Sequence, residues 1–152
     1  MRDLTSGELV RLEIPAQPAF VGVARSVVAA IASALDGIDE DRLEDLRVAV
    51  SEACTNAVEA HRRDAVDDRI VVRCTTSDEE LAVSIEDRRA DSSLSAVADD
   101  VPAAPGPDAP PNTSEQRWGI QLIQALVDDA RFRETQEGTA VDLVVRLERA
   151  VG

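Results

Sequence analysis

Hydrophobic and polar residues alternate in two distinct rhythms along the first third of this chain. From Leu9 to Ile14 the apolar positions recur every second residue, which predicts a strand with one face on a core. From Pro18 to Leu35 they recur every three or four residues and stop at Asp36-Gly37, which predicts an amphipathic helix. A second helix is predicted from residue 39 to about residue 62, and acidic residues in its first turn complement the helix dipole.

The rest of the chain adds two hairpins and one helix. β-Branched runs at 69–75 and 81–87 predict an antiparallel hairpin. A third helix is predicted from Gly119 to about residue 129, and a second hairpin from residue 130 to residue 147. The most economical packing of this order is a two-layer α/β sandwich, in which helices cover one face of a mixed, mostly antiparallel sheet.

One long segment, residues 88–116, does not follow either rhythm. Five of the seven prolines fall between Pro102 and Pro111, among Ala, Asp and Ser residues. Such a segment has too few apolar side chains to pack, so a mobile lid or a disordered insertion is expected. The 152 residues are otherwise expected to form one domain, residues 1–152, around a single core.

Charge and residue usage exclude several classes of function. The chain carries 30 acidic residues against 16 arginines, has no lysine, and has a formal net charge of -14. Without lysine, a Walker A phosphate loop and Schiff-base chemistry are excluded. The acidic surplus disfavours direct binding to nucleic acid or to an anionic membrane and favours a basic protein partner. One His and two Cys are too few for the usual four-ligand zinc site.

The location expected from the sequence is the cytoplasm. No stretch approaches the roughly 20 apolar residues that a transmembrane helix needs. The first fifteen residues lack the basic-then-apolar layout of a signal peptide. The two cysteines, Cys54 and Cys74, fall on apolar positions of the second helix and of a strand, so they are expected to be small core residues with reduced thiols.

The candidate chemistry lies on the second helix. Glu52 and Asn56 are four residues apart, so their side chains project from one stripe of the helix. An Asn carbonyl can bind Mg²⁺, and a carboxylate one turn away can deprotonate a hydroxyl that attacks a phosphate. The same pair is also common on a solvated helix surface, so the spacing alone leaves both interpretations open.

A longer run around this pair resembles a known motif. The residues from Ser51 to His61, SEACTNAVEAH, resemble the N box of the gyrase, histidine-kinase and MutL ATPase superfamily. More narrowly, nearly the whole chain is similar to the bacterial anti-sigma factor serine kinases. The similarity includes an Asp at a strand end, Asp87, the helix at Gly119, and Gly138-Thr139 before the last strand. The resemblance implies a Bergerat-type ATPase fold.

The resemblance also implies roles for individual residues and partners. Glu52 would be the general base for the phosphorylation of a serine of an anti-anti-sigma protein of the STAS type, and Asn56 would bind Mg²⁺. Asp87 would hold the adenine amino group of ATP, with Gly119 at the junction of lid and helix and Thr139 near the adenine. The expected partners are an RNA polymerase sigma factor, that antagonist protein, and a second copy of the chain in a homodimer.

The chain departs from the family at its glycine motifs. Arg89 and Asp91 stand where the family usually has two glycines after the strand-end Asp, and Arg117 replaces another glycine two residues before Gly119. Side chains at these positions add bulk and charge near the expected nucleotide. Two other functions are therefore considered as alternatives to an active kinase. One is a kinase-dead, nucleotide-independent sigma-binding module, and the other is an ATPase or sensor domain of the same fold without a sigma partner.

Overall fold

The computed structural model describes residues 7–59, 67–88, 114–136 and 138–148, and gives only the helical backbone for residues 114–118. A short 3₁₀ helix (Pro18–Phe20) precedes the first α-helix. The α-helices and strands occur in the predicted order: β1 (Gly7–Pro15), α1 (Val21–Ala34), α2 (Glu40–Glu59), β2 (Arg69–Thr76), β3 (Glu80–Arg88), α3 (Ser114–Leu126), β4 (Asp129–Glu134) and β5 (Thr139–Arg146).

Two predicted boundaries are corrected. Helix α3 begins at Ser114 and not at Gly119, because the polar residues between them include Glu and Gln, which favour helix even without an apolar rhythm. Of the predicted loop 88–116, the first residue closes β3 and the last three belong to α3. The rest of that loop, residues 89–113, lies outside the described residues, as does the predicted helical turn at 60–62.

The five strands form one sheet in the order β1-β2-β3-β5-β4, and every neighbouring pair is antiparallel. The two-layer α/β prediction is confirmed, but the sheet is not mixed. Strand β2 runs antiparallel to β1 because the α1–α2 hairpin returns the chain to the end of β1, where Pro15 pairs with Arg69. Strands β3 and β4 do run in the same direction, but β5 lies between them.

The core lies between the helices and one face of the sheet. Helix α2 is central, since it packs against both α1 and α3 and also against β2, β3 and β5. Alternate residues of the strands supply the sheet side of the core. The largest fully buried side chains of the cluster are Leu46, Val50 and Cys54 of α2, Val28 of α1, Ile123 of α3, and Ile70, Val72, Leu81, Val83, Ile85 and Leu143 of the sheet.

Arg42 ties together three chain segments at one end of the domain. Its guanidinium donates to the carbonyl of Gly37 at 3.2 Å and to Asp128 Oδ2 at 2.8 Å. The same Asp128 oxygen accepts the backbone N–H of Arg146 at 2.6 Å. Gly37 has a φ of +103°, and a Cβ there would lie 2.9 Å from the backbone of Glu148, so the turn requires glycine. These contacts fix the α1–α2 turn onto the ends of α3 and β5.

Replacing Arg42 by Ala is expected to lower the free energy of unfolding by about 1 to 3 kcal/mol, because the partly buried Gly37 carbonyl and the Asp128 carboxylate lose a charged donor. Urea denaturation followed by circular dichroism measures the effect. Arg47→Ala is the matched control, since Arg47 lies on the same helix in an exposed pair with Glu44. The control should change the unfolding free energy by less than about 0.5 kcal/mol. Equal effects of the two substitutions would contradict the role given to Arg42.

Candidate functional site

Three of the residues singled out in the sequence meet where α3 crosses α2. Glu52 and Asn56 are half-buried on α2, beside the buried stripe that includes Ala53 and Ala57. A Cβ placed on Gly119 of α3 would lie 3.1 Å from Glu52 Oε2 and 3.2 Å from Asn56 Nδ2. Because such contacts are tight, the glycine is what lets the backbone of α3 approach the two polar side chains.

The position of Gly119 within α3 differs from the sequence prediction. Gly119 lies in the second turn of the helix, five positions after Ser114. Its backbone N–H is therefore not one of the free groups at the helix start. The backbone N–H of Gly119 is thus not available to bind an anion. The glycine serves close packing against Glu52 and Asn56 instead.

The other two predicted residues, Asp87 and Thr139, form a second cluster. Asp87 is only 3% exposed and follows Leu81, Val83 and Ile85 in the row of β3 residues that faces the helices. Its Oδ1 accepts hydrogen bonds from the backbone N–H of Thr139 and from Thr139 Oγ1, the latter at 3.1 Å. A buried carboxylate is thus oriented by the first residue of β5.

Gly138 lies directly against Asp87, a contact that the sequence did not reveal. The sequence places it in the turn before Thr139, as part of the Gly138-Thr139 pair that resembles the family. A Cβ at Gly138 would lie 2.7 Å from the Asp87 carbonyl oxygen and 2.8 Å from its Cγ, closer than real Cβ contacts. The backbone of the β4–β5 turn therefore passes directly over Asp87, and only glycine leaves room for it.

Both clusters lie at the same end of the domain. Strand β3 ends one residue after Asp87, and β5 begins at Thr139. The chain leaves α2 shortly after Asn56 and enters β2 at Arg69, which pairs with the last residue of β3. The connectivity places Glu52 and Asn56 on the helix layer and Asp87 on the sheet layer at this end.

A groove of about 670 Å³ runs between α1 and α2 and reaches Glu52. Since the two helices form an antiparallel hairpin, Arg25 near the start of α1 and Glu52 on α2 lie toward the same end of the groove. Ser51 also lines it, and within the described part of the chain its buried Oγ has no hydrogen-bond partner. The lining combines both charges with small and apolar side chains: Arg25, Ser26, Ala29, Ala30, Ser33, Glu44, Arg47, Val48, Ser51 and Glu52.

The two cysteines are core residues, as predicted. Cys54 and Cys74 have no exposed surface. Burial raises the pKa of Cys54 to about 12 and that of Cys74 to about 11, because the thiolate loses its hydration. Neither thiol is suited to act as a nucleophile.

Thiol titration checks this assignment. Neither cysteine of the folded protein should react with Ellman's reagent at pH 8, whereas both should react in denaturant. Because folding disfavours the thiolates, the contribution of the two neutral thiols to the free energy of unfolding is fully present below about pH 9 and is lost as the pH rises toward 11 and 12. Rapid labelling of the native protein would contradict the burial of both thiols.

The side chains at this end of the domain have the chemistry to hold a magnesium-bound nucleotide. Carboxylate and amide oxygens, as in Glu52 and Asn56, are the hard donors that Mg²⁺ prefers. A buried carboxylate such as Asp87 is a suitable acceptor for an exocyclic amino group. The glycines at 119 and 138 leave the two clusters uncrowded by side chains.

Comparisons with known proteins agree with this chemistry. A family model described as histidine kinase-like ATPase domain matches residues 14–145. Serine-protein kinase RsbW of Bacillus velezensis is 33% identical over 133 residues, which cover 85% of this chain and 80% of that protein. Serine-protein kinase RsbW of Bacillus subtilis is 31% identical, over 84% of this chain and 79% of that protein.

A solved structure supports the fold. The RsbU and RsbW domains of a protein from Mycobacterium tuberculosis match with a TM-score of 0.62 at 23% identity. The match covers 93% of this chain but 34% of that longer chain. The expectation of a Bergerat-type ATPase fold is thereby confirmed.

Proposed function

The chain belongs to the histidine kinase-like ATPase family and, within it, to the RsbW serine-protein kinases, and from this premise we propose that it is an ATP-dependent protein serine kinase and anti-sigma factor. It binds and sequesters an RNA polymerase sigma factor, and it exchanges that factor for a STAS-type anti-anti-sigma protein whose serine it phosphorylates. The observation that carries the proposal is the approach of Gly119 to the Glu52–Asn56 pair.

Glu52 is the proposed general base. Its carboxylate is half-buried and lines a groove that is open to solvent, so a serine hydroxyl entering from the groove can donate a hydrogen bond to it. The carboxylate takes the proton of that hydroxyl as the new oxygen–phosphorus bond forms. Bound ATP, with Mg²⁺, would supply the phosphoryl group and leave as ADP when the bond between its γ-phosphorus and the bridging oxygen breaks.

The remaining site residues are proposed to bind Mg²⁺ and the adenine, or to orient the side chains that do so. Asn56 is proposed to bind Mg²⁺ through its side-chain oxygen. Asp87 is proposed to accept a hydrogen bond from the adenine amino group, while Thr139 keeps that carboxylate in one orientation. Gly119 and Gly138 keep both clusters free of side-chain bulk. The chain contains no lysine, so no lysine side chain takes part in binding the nucleotide phosphates.

The groove between α1 and α2 is the proposed entrance for the protein substrate. Arg25 and Arg47 place two cations there in a chain whose net charge is -14, and Val48 adds a 37% exposed apolar side chain. A serine-bearing segment with acidic and small apolar residues fits such a lining. The remaining acidic surface favours a basic sigma factor over nucleic acid.

The cellular location and the assembly of the protein are part of the same proposal. In the part of the chain that the structure describes, no helix has both the length and the apolar character needed to cross a membrane. We propose a cytoplasmic regulator that acts as a homodimer and makes no direct contact with nucleic acid or membrane.

Phosphoryl transfer tests the proposal. The purified chain is incubated with Mg²⁺, γ-labelled ATP and the STAS-type antagonist encoded by the same genome, and the label is located by mass spectrometry. Label on one serine of the antagonist supports the kinase. Capture of a sigma factor without ATP binding or transfer would favour the nucleotide-independent module, to which Arg89 and Asp91 point. ATP hydrolysis without capture of a sigma factor would favour the ATPase or sensor domain.

A further inference from the structure

The turn between β4 and β5 is closed by a side chain. The backbone N–H of Thr135 donates to the carbonyl of Gly138 at 2.8 Å, and the N–H of Gly138 donates to Thr135 Oγ1 at 3.0 Å. In an ordinary β-turn the N–H of the fourth residue donates to the backbone carbonyl of the first. Here the hydroxyl of Thr135 accepts that bond, as Ser and Thr side chains do when they imitate a backbone turn.

The residues that this turn holds are the ones that contact Asp87. Gly138 lies so close to Asp87 that a Cβ would overlap the carboxyl group. The next residue, Thr139, donates both its backbone N–H and its hydroxyl to Asp87 Oδ1. Thr135 is therefore connected to the carboxylate of Asp87 through the backbone of two consecutive residues.

Packing contributes little to the position of the Thr139 N–H. Glu134 pairs with Thr139 at the end of the β4–β5 ladder, so only residues 135–138 connect the two strands. Thr135 and Gly138 are half-buried, whereas Thr139 is exposed. An exposed residue at a strand end has few buried contacts to hold it. The direction of its N–H is therefore set by the ladder on one side and by the turn on the other.

The orientation of Asp87 matters because a carboxylate distinguishes adenine from guanine. An ionised carboxylate accepts hydrogen bonds and donates none. Adenine carries an amino group, a donor, at the ring position where guanine carries a carbonyl oxygen, an acceptor. Both hydrogen bonds from Thr139 go to the same oxygen, Oδ1, so they fix the rotation of the carboxylate. A carboxylate fixed in this way favours adenine and disfavours guanine.

From this geometry we infer that Thr135 is a positioning residue for nucleotide selection, which makes the chain prefer ATP to GTP through the orientation of Asp87. Its hydroxyl holds Gly138, the turn then presents the N–H of Thr139, and that N–H orients the carboxylate toward the base. The inference rests on the proposed function, since it concerns the same nucleotide site. It adds a residue that acts only through other residues.

Replacing Thr135 by Val tests the inference, because it removes the hydroxyl and keeps the branched shape of the side chain. In calorimetric titrations the Kd of Mg-ATP should rise about tenfold, the effect of one lost hydrogen bond, while that of Mg-GTP stays within about twofold. Thr135→Ser keeps the hydroxyl and should retain the wild-type ratio of the two affinities. Thr75→Val, at an exposed threonine of β2, is the matched control and should change neither affinity.

Steady-state transfer to the antagonist separates positioning from catalysis. In Thr135→Val the KM for ATP should rise about tenfold, and the rate at saturating ATP should stay within about twofold of the wild type. The rate is preserved because Glu52 and Asn56 lie on α2, in the other layer of the domain. A lower saturated rate with an unchanged KM would overturn the inference.

A measurement without nucleotide distinguishes a failure of the inference from a failure of the proposed function. Hydrogen exchange followed by NMR should show a protected Thr139 N–H in the wild type and in Thr135→Ser, and at least tenfold faster exchange in Thr135→Val. Unchanged exchange in Thr135→Val, or equal losses of ATP affinity in the Ser and Val variants, would overturn the inference alone. A wild-type chain with a protected Thr139 N–H that binds no ATP would refute the proposed function.

Discussion

Replacing Glu52 by Gln is expected to lower the rate of phosphoryl transfer to the antagonist by about 10² to 10⁴-fold, the usual contribution of a general base. The amide keeps the size of the side chain and its contact with Gly119, but it cannot accept the serine proton. Affinity for ATP should change by less than about threefold, since Glu52 is assigned to the hydroxyl and not to the nucleotide. Single-turnover transfer and calorimetric ATP titration measure the two effects.

The control for Glu52 is another carboxylate of the same helix. Glu59, the last residue of α2, is exposed, so Glu59→Gln removes one negative charge from α2 without touching the groove. Transfer by this variant should equal that of the wild type. A Glu52→Gln variant with full activity would remove Glu52 from the mechanism, while a loss confined to ATP affinity would give it a nucleotide-binding role instead.

Replacing Gly138 by Ala is expected to weaken ATP binding by at least about tenfold and to destabilise the fold by about 1 to 3 kcal/mol, the usual cost of overpacking. The new methyl group would overlap the carbonyl and carboxyl atoms of Asp87, so either the turn or the carboxylate must move. Both movements break the hydrogen bonds from Thr139 that orient Asp87. Calorimetric titration with Mg-ATP and thermal unfolding measure the two losses.

Gly22→Ala is the matched glycine control. A Cβ at Gly22, in α1, would meet only the far end of the flexible Arg25 side chain, at 3.6 Å. Alanine also favours helix over glycine, so this variant should keep its ATP affinity and be slightly more stable. Unchanged ATP binding by Gly138→Ala would show that Asp87 tolerates displacement, and the adenine contact would then have to lie elsewhere.

The periodic spacing of apolar residues predicts most of the helices and strands. It fails where a segment has no such spacing. Amphipathic periods locate α1, α2 and the strands, since one buried face is a property of each segment alone. The start of α3 at Ser114 was missed, because residues 114–118 are polar and their helical state follows from propensity and from the turns after them. The prediction that the sheet is mixed was also wrong, because the direction of a strand depends on how many helices separate it from its neighbour.

The sequence by itself determined which residues are chemically able to act. The four-residue spacing fixes Glu52 and Asn56 on one stripe of α2, and the alternation in β3 fixes Asp87 on the face of Ile85. Only the tertiary structure decided which distant residues these side chains meet. It sets Gly119 against the α2 pair and Gly138 over Asp87, across sequence separations of more than fifty residues. Periodicity is a local property of the chain, whereas close approach depends on how whole layers pack, and there the absence of a single Cβ decides whether the contact can form.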